Sequence, residues 1–162
     1  MKKILILSDS HGNINNMSYA LQCEKPDLVI HLGDCFKDAK QLVEQYPEQN
    51  IIQVPGNCDY SDEATEKIVD VEGIKILICH GHTYRVKMDY LPLQLSAQEK
   101  GVDVALFGHT HKVFYEQHNG ILLLNPGSIG APPYMIPASY AVLTVDKTTG
   151  KKDFQTKYLE KD

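Results

Sequence analysis

Residues 2–13, KKILILSDSHGN, decide how the rest of the chain is read. Ile4, Leu5, Ile6 and Leu7 form an unbroken apolar run, the pattern of a strand covered on both faces and not of one with a wet side. The run stops abruptly, placing Asp9 and His11 at its carboxyl end with Gly12 directly behind, where α/β folds keep their ligands. Taken alone, Asp, Ser and Asn ahead of a helical stretch are ordinary helix caps, so other segments have to decide the matter.

Downstream, residues 13–25 (NINNMSYALQCEK) space Met17, Ala20 and Leu21 as one helical face, and Pro26-Asp27 closes the element. LVIHLGD (28–34) predicts a second buried strand, KDAKQLVEQY (37–46) a second helix and IIQVPGNCD (51–59) a third strand. This β-α-β-α-β order implies a sheet that begins parallel. The pattern then changes. EKIVDVEGIKILICHGH (66–82) holds two strand-like runs around the hairpin signal Glu72-Gly73, and LPLQLSAQEKG (91–101) is a short helix stopped by Gly101. VDVALFGHTH (102–111) is a strand ending on histidines. After it, KVFYEQH, ILLLNPGS, SYAVLTVD and KDFQTKYLE read as antiparallel strands, the last two joined at Lys147-Thr148-Thr149-Gly150. A helical half followed by a hairpin-rich half predicts two mixed sheets face to face with helices outside, an α/β architecture within a single domain over 1–162.

Composition narrows the function classes. The chain has 162 residues, 43% of them hydrophobic, enough for one covered core. Net charge is −5 and Arg85 is the sole arginine, so a surface able to neutralise long DNA or RNA is not expected. No stretch reaches the roughly 20 apolar residues of a membrane span. A strand starting at Lys3 leaves no room for a cleavable signal sequence, which points to the cytoplasm. Cys23, Cys35, Cys58 and Cys79 lack CxxC or zinc-finger spacing and read as free thiols.

Five apolar runs end on metal-competent side chains: Asp9 and His11, then Asp34, then Asn57, then His80 and His82, then His109 and His111. Each carboxylate or imidazole is costly to bury unpaired. Strand ends gathered at one edge of a sandwich would bring these residues together as a divalent-metal site. Their number exceeds the four ligands of a tetrahedral zinc site, whereas two ions sharing a carboxylate accommodate them. Sites of that kind hold a phosphoryl group between ions about 3.5–4 Å apart and bring a bridging water to a pKa around 7.

The blocks DSH, GDC, GNCD, HGH and GHTH, in this order, resemble the ligand blocks of the calcineurin-like metallophosphoesterases, from Met1 to about Tyr140. The small size, GNCD and the late NPGS (125–128) are similar to the compact bacterial and archaeal phosphodiesterase branch, whose fold is a four-layer α-β-β-α sandwich. The resemblance implies that Asp9, His11 and His111 bind one metal and Asn57, His80 and His109 a second, with Asp34 bridging them. It implies Mn²⁺ as the usual ion, with Fe, Ni, Co or Zn as substitutes, and it places Asn57, Cys58, Asp59 and His82 at the chemistry. In most of the superfamily the third block reads GNH, and its histidine assists the leaving group; here Cys58 stands in that position, as in the compact branch. His82 is open to two readings, a phosphate contact or an alternative to His80, and His80 is preferred as ligand because it directly ends its strand.

Other polar residues read more plainly. His31 is expected to be a hydrogen-bonded core residue, His118 a solvated hairpin residue, Arg85 a surface residue in preference to a bidentate phosphate clamp, Asn13 a cap, and Asn125 and Ser128 turn-formers near the site. Cys35 and Cys79 adjoin ligands, but neighbours in extended chain face opposite sides, which makes them packing residues. The functional expectation is hydrolysis of a small or extended phosphodiester in an open cleft. Two alternatives stand beside it: a monoesterase or short-oligonucleotide nuclease, and a protein-interaction scaffold, since the retromer scaffold subunit resembles the same branch. Relatives of this kind form dimers or tetramers, and the apolar stretch 132–136 is a candidate contact.

Overall fold

The computed structural model of the chain describes residues 1–159. Glu160, the end of the predicted final strand, lies outside them. The buried opening run forms β1 (Lys2–Leu7), followed by α1 (Ile14–Glu24), β2 (Leu28–His31), α2 (Phe36–Gln45) and β3 (Ile51–Gln53). β1, β2 and β3 are parallel neighbours. The hairpin β4 (Glu66–Val71) and β5 (Ile74–Cys79) comes next. Its turn residues Glu72 (φ 53°) and Gly73 (φ 84°) are both left-handed, the geometry that matches strand twist in tight hairpins. A short 3₁₀ turn (His82–Tyr84), α3 (Leu91–Glu99), β6 (Val104–Leu106), β7 (Val113–His118), β8 (Ile121–Pro126), β9 (Ser139–Val145) and β10 (Lys152–Tyr158) complete the described chain.

Two five-stranded sheets result, ordered β10-β9-β1-β2-β3 and β4-β5-β6-β8-β7. Both are mixed: β9 runs antiparallel to β1 in the first, while β5, β6 and β8 are parallel in the second. The four-layer sandwich follows from strand alternation. Ile4 and Ile6 face inward to meet Ile76, Ile78, Val104, Leu106, Leu122 and Leu124 of the other sheet. Leu5 and Leu7 face outward against Met17, Ala20 and Leu21 of α1 and Leu42 of α2. On the far side Leu77, Ala105, Phe107 and Leu123 take Leu93 and Ala97 of α3. An unbroken apolar run was therefore required in β1, because both of its faces are interior. Cys79 points into the α3 layer, away from the neighbouring His80, as alternation predicts.

One buried carboxylate ties the first sheet to its helix. Glu24, at the end of α1, is 5% exposed and accepts from Tyr140 Oη at 2.6 Å and Lys157 Nζ at 2.9 Å, with Lys3 Nζ at 3.0 Å. Burial raises its pKa, but Tyr140 and the two lysines outweigh burial and bring it from 4.5 down to about 2. Since folding lowers this pKa, the stability it contributes is complete above the ordinary carboxylate range and is lost as pH falls from about 4.5 toward 2. Glu24→Ala removes the acceptor for a buried hydroxyl and is expected to destabilise by about 2 kcal/mol. Glu24→Gln, which keeps an acceptor, should cost less, and both should flatten the acid limb of a urea-denaturation series against pH.

Candidate metal centre

Backbone hydrogen bonds zip the polar strand tips together. The loop after β1 is tied to the loop after β2 by Asp9 N–H on the Gly33 carbonyl (3.0 Å) and His11 N–H on that of Asp34 (3.2 Å). In the second sheet, Gly108 N–H donates to the His80 carbonyl (2.8 Å). The sheets are joined where His109 N–H donates to Asp9 Oδ2 (3.1 Å). Glycine is demanded where these loops cross: a Cβ on Gly108 would stand 2.7 Å from Asp9 Oδ2, and one on Gly56 2.8 Å from Asp34 Cγ. Backbone strain also concentrates here. Asp9 (φ 53°), His11 (44°), Asp34 (43°), His109 (71°) and His111 (62°) are all left-handed, a conformation costing about 1–2 kcal/mol for a residue with a Cβ.

Each ring and carboxylate is held so that one atom points into the cluster. His80 is buried and its Nδ1 lies 2.8 Å from the Leu32 carbonyl, which makes Nδ1 the protonated nitrogen and leaves Nε2 facing Asp34 Oδ2 at 3.4 Å. His111 Nδ1 uses the Ala131 carbonyl (2.7 Å) in the same way, leaving Nε2 3.2 Å from Asp9 Oδ1. Such outer hydrogen bonds fix tautomer and orientation in metal-binding histidines. Asp9 Oδ2 is occupied by Ser8 Oγ (2.6 Å) and His109 N–H, whereas its Oδ1 is buried and accepts no hydrogen bond. That orphaned oxygen faces the Nε2 atoms of His111, His80 (3.7 Å) and His11 (3.9 Å). Asp34 Oδ1 accepts the Cys58 N–H (3.0 Å), and its Oδ2 lies 3.9 Å from His11 Nε2 as well as near His80. His109 Nδ1 and His80 Nε2 converge at 3.2 Å.

Two overlapping triads, Asp9-His11-His111 and Asp9-Asp34-His80, share Asp9, and within each triad the ligand atoms all lie within 4.8 Å of one another. Electrostatics agree with a cation-seeking cluster. Burial raises the Asp34 carboxyl but His80 and the Cys58 N–H carry it below the usual range; burial likewise opposes, and His111, His80 and Ser8 reverse, the shift at Asp9. Burial and the neighbouring His80 push His109 down to about 4. Oxygen and imidazole donors in this mixture fit a first-row divalent ion, and the unsatisfied Asp9 Oδ1 supplies the vacant valence such an ion fills.

The remaining candidate residues sit around this core. Asn57 is exposed at the rim, with Nδ2 3.7 Å from Cys58 Sγ. Cys58 is exposed, and partial burial together with the carboxylates of Asp34, Asp59 and Asp9 raises its thiol pKa. His82 stacks beside His80 and His109, at 5.5 and 6.2 Å between centroids, and its buried Nδ1 has no hydrogen-bond partner. Asp59 spends both oxygens on backbone: Oδ2 accepts from Asp34 N–H (3.0 Å) and Gly56 N–H (2.8 Å), Oδ1 from Phe36 N–H (2.8 Å). Arg85 and His118 are exposed, and Ser128 Oγ links the Asp9 carbonyl (2.7 Å) to Ala131 N–H (2.7 Å).

Sequence reasoning missed a buried relay beneath His11. Ser10 Oγ donates to Asp38 Oδ2 (2.5 Å) and, at 2.9 Å, accepts from His31 Nε2, whose Nδ1 accepts Gly33 N–H (3.1 Å). Asp38 also takes Gly12 N–H (2.7 Å). Burial lowers His31 to about 4, so it is the neutral core residue expected. Asp38 carries no signal of this role, since an acid in the first turn of a helix is ordinary.

Residues 1–148 match the calcineurin-like phosphoesterase superfamily domain. The chain belongs to that superfamily. It is 36% identical over 148 residues to the probable metallophosphoesterase YsnB of Bacillus subtilis (strain 168), covering 88% of this chain and 84% of that protein. A conserved Streptococcus pneumoniae TIGR4 protein described as a predicted phosphoesterase superposes with a TM-score of 0.78 at 26% identity, over 96% of this chain and 98% of the other. Zn²⁺-complexed Vps29 from Entamoeba histolytica shares the fold, with a TM-score of 0.74 at 19% identity over 96% and 98% of the two chains. The chain is thus a metallophosphoesterase-family protein whose α/β sandwich gathers a candidate divalent-metal site. No helix among the described residues is long and apolar enough to cross a membrane.

Proposed function

We propose that this chain, acting as one domain in the cytoplasm, is a binuclear metal-dependent phosphodiesterase with Mn²⁺ as preferred ion and Fe, Ni, Co or Zn as substitutes. The observation that carries the reading is the buried Asp9 Oδ1, which accepts no hydrogen bond and is faced by three imidazole nitrogens. Asp9, His11 and His111 would hold one ion, Asn57, His80 and His109 the other, with Asp34 between them. When bound, the ions supply Lewis acidity and an activated water. The chain's own residues do the rest. The Leu32 and Ala131 carbonyls keep the imidazole lone pairs of His80 and His111 aimed inward, Asp59 braces the Asp34 loop through both of its carboxylate oxygens, and the His82 ring and the Asn57 amide offer hydrogen bonds to phosphoryl oxygens. A scaffold of the same fold is the rival reading, and because Vps29 of this fold is found complexed with Zn²⁺, turnover and not ion binding separates the two.

Cys58 decides which diesters are cleaved. A thiol with its pKa raised is a poor proton donor to a leaving alkoxide at neutral pH, so leaving-group departure should limit turnover. A nitrophenolate leaves unaided. The test is a panel of aryl diesters, alkyl diesters and aryl monoesters on Mn²⁺-loaded protein, repeated with Cys58→His at equal metal content. Expected are an aryl preference over alkyl of at least about 100-fold, slower monoesters, and a narrower aryl/alkyl gap in Cys58→His. An unchanged gap with Cys58→Ala equal to wild type reduces residue 58 to packing. No turnover of any ester by fully loaded protein returns the scaffold reading.

A further inference from the structure

The segment after β5 and the turn after β6 each begin at a candidate ligand and then diverge around a cleft of about 390 Å³ lined by Val86, Lys87, Tyr90, Thr110 and Lys112. We propose that this cleft, with Lys87 on one wall and Lys112 on the other, holds a second phosphate of the substrate, so that the preferred class is an ester of a diphosphate. The proposal rests on the phosphodiesterase reading and specifies its substrate.

The cleft adjoins the metal cluster by construction, because Thr110 lies between His109 and His111, and Val86 packs over Gly81, the residue after His80. In a chain of net charge −5, neither Lys87 nor Lys112 pairs with a carboxylate among the described residues, whereas Lys3, Lys67 and Lys157 do. Two unneutralised lysines lining one cleft favour an anion bound there. The floor is rigid: the Tyr90 ring packs on Phe107 and Phe114 at centroid distances of 5.4 and 4.1 Å. Its hydroxyl makes no hydrogen bond among the described residues and is free to donate. Thr110 is held by Asn125 Nδ2 (3.0 Å) and Lys112 N–H (3.2 Å). Two lysines are too few for a long nucleic acid, whose binding requires many neutralised phosphates, but they suit one terminal phosphate.

The test uses non-hydrolysable ligands at fixed free Mn²⁺: the monophenyl ester of methylenediphosphonate, with two phosphorus anions, and phenyl methylphosphonate, with one. Calorimetry on wild type should show the two-anion ligand binding about 30-fold tighter, falling to about threefold in Lys87→Gln/Lys112→Gln, the scale expected for lost charge-assisted hydrogen bonds. Lys147→Gln/Lys151→Gln, which changes net charge equally in the distant β9–β10 turn, should keep the wild-type advantage. The assignment fails if the cleft variant keeps the full advantage, or if the distant variant loses as much. Should loaded wild type bind neither ligand, the phosphoesterase reading itself is overturned and the assignment with it.

Discussion

Protein stripped by a chelator and verified metal-free should hydrolyse an aryl phosphodiester at neutral pH at least about 10⁴-fold more slowly than the loaded form, because nothing else in the cluster makes a nucleophile. Ser8 and Ser10 are buried and bonded to carboxylates, and His31 is enclosed and neutral. The Cys58 thiol is held protonated. Added Mn²⁺ should restore turnover and, at 100 times its dissociation constant, raise stability by about 2.7 kcal/mol for each ion bound, through mass action. In a domain of this size that amounts to a melting-temperature rise of roughly 5–10 °C per ion. Full activity in metal-free protein would falsify the mechanism, and activity without the thermal shift would point to a contaminant.

Asp34→Asn is the substitution expected to cost most. Asp34 Oδ2 lies between His11 Nε2 at 3.9 Å and His80 Nε2 at 3.4 Å, one from each proposed ligand set. A neutral amide keeps the acceptor for the Cys58 N–H yet removes the negative charge that two cations would share. Occupancy of both ions should fall, and kcat/KM by about 10³-fold or more, the scale of losing a principal electrostatic group. Asp9→Asn is the informative companion, since Asp9 Oδ1 also faces imidazoles of both sets. Elemental analysis of the two variants at equal free Mn²⁺ separates the roles. If Asp34→Asn loses one ion and turns over almost normally while Asp9→Asn loses both, the shared carboxylate is Asp9.

The parallel opening of the first sheet was legible in Ile4 to Leu7 and in LVIHLGD, because burial on both faces leaves no polar alternation to obscure the run. The hairpins at Glu72-Gly73 and Lys147–Gly150 were legible because turn chemistry is local. Sheet partnership beyond hairpins was not: nothing within SYAVLTVD says that its other neighbour is β1, since pairing across more than a hundred residues depends on the whole fold. The cluster showed in the sequence because charged tips on apolar strands are conspicuous. Its supports did not. Asp38 reads as an ordinary helix acid, and Asp59, expected at the chemistry from its block, spends both oxygens on backbone N–H groups. Their bonds to Ser10, Gly12, Asp34, Gly56 and Phe36 are contacts between loops, and no residue pattern announces them.

His109 N–H on Asp9 Oδ2, with His80 Nδ1 on the Leu32 carbonyl and Ser128 Oγ on that of Asp9, is among the polar stitches between two sheets that otherwise meet through apolar side chains. Asp9 and Asp34 ride on one sheet, His80 and His109 on the other, so neither half of the chain carries a complete coordination set. The thickness of the greasy layer between them therefore acts as a ruler. Trimming Ile78 or Leu106, which are core residues and not candidate ligands, would let the sheets settle closer or shear, and donor spacing at the rim would drift with them. Tuning of ion choice in this fold is thus open to substitutions in its hydrocarbon interior as well as at its polar edge.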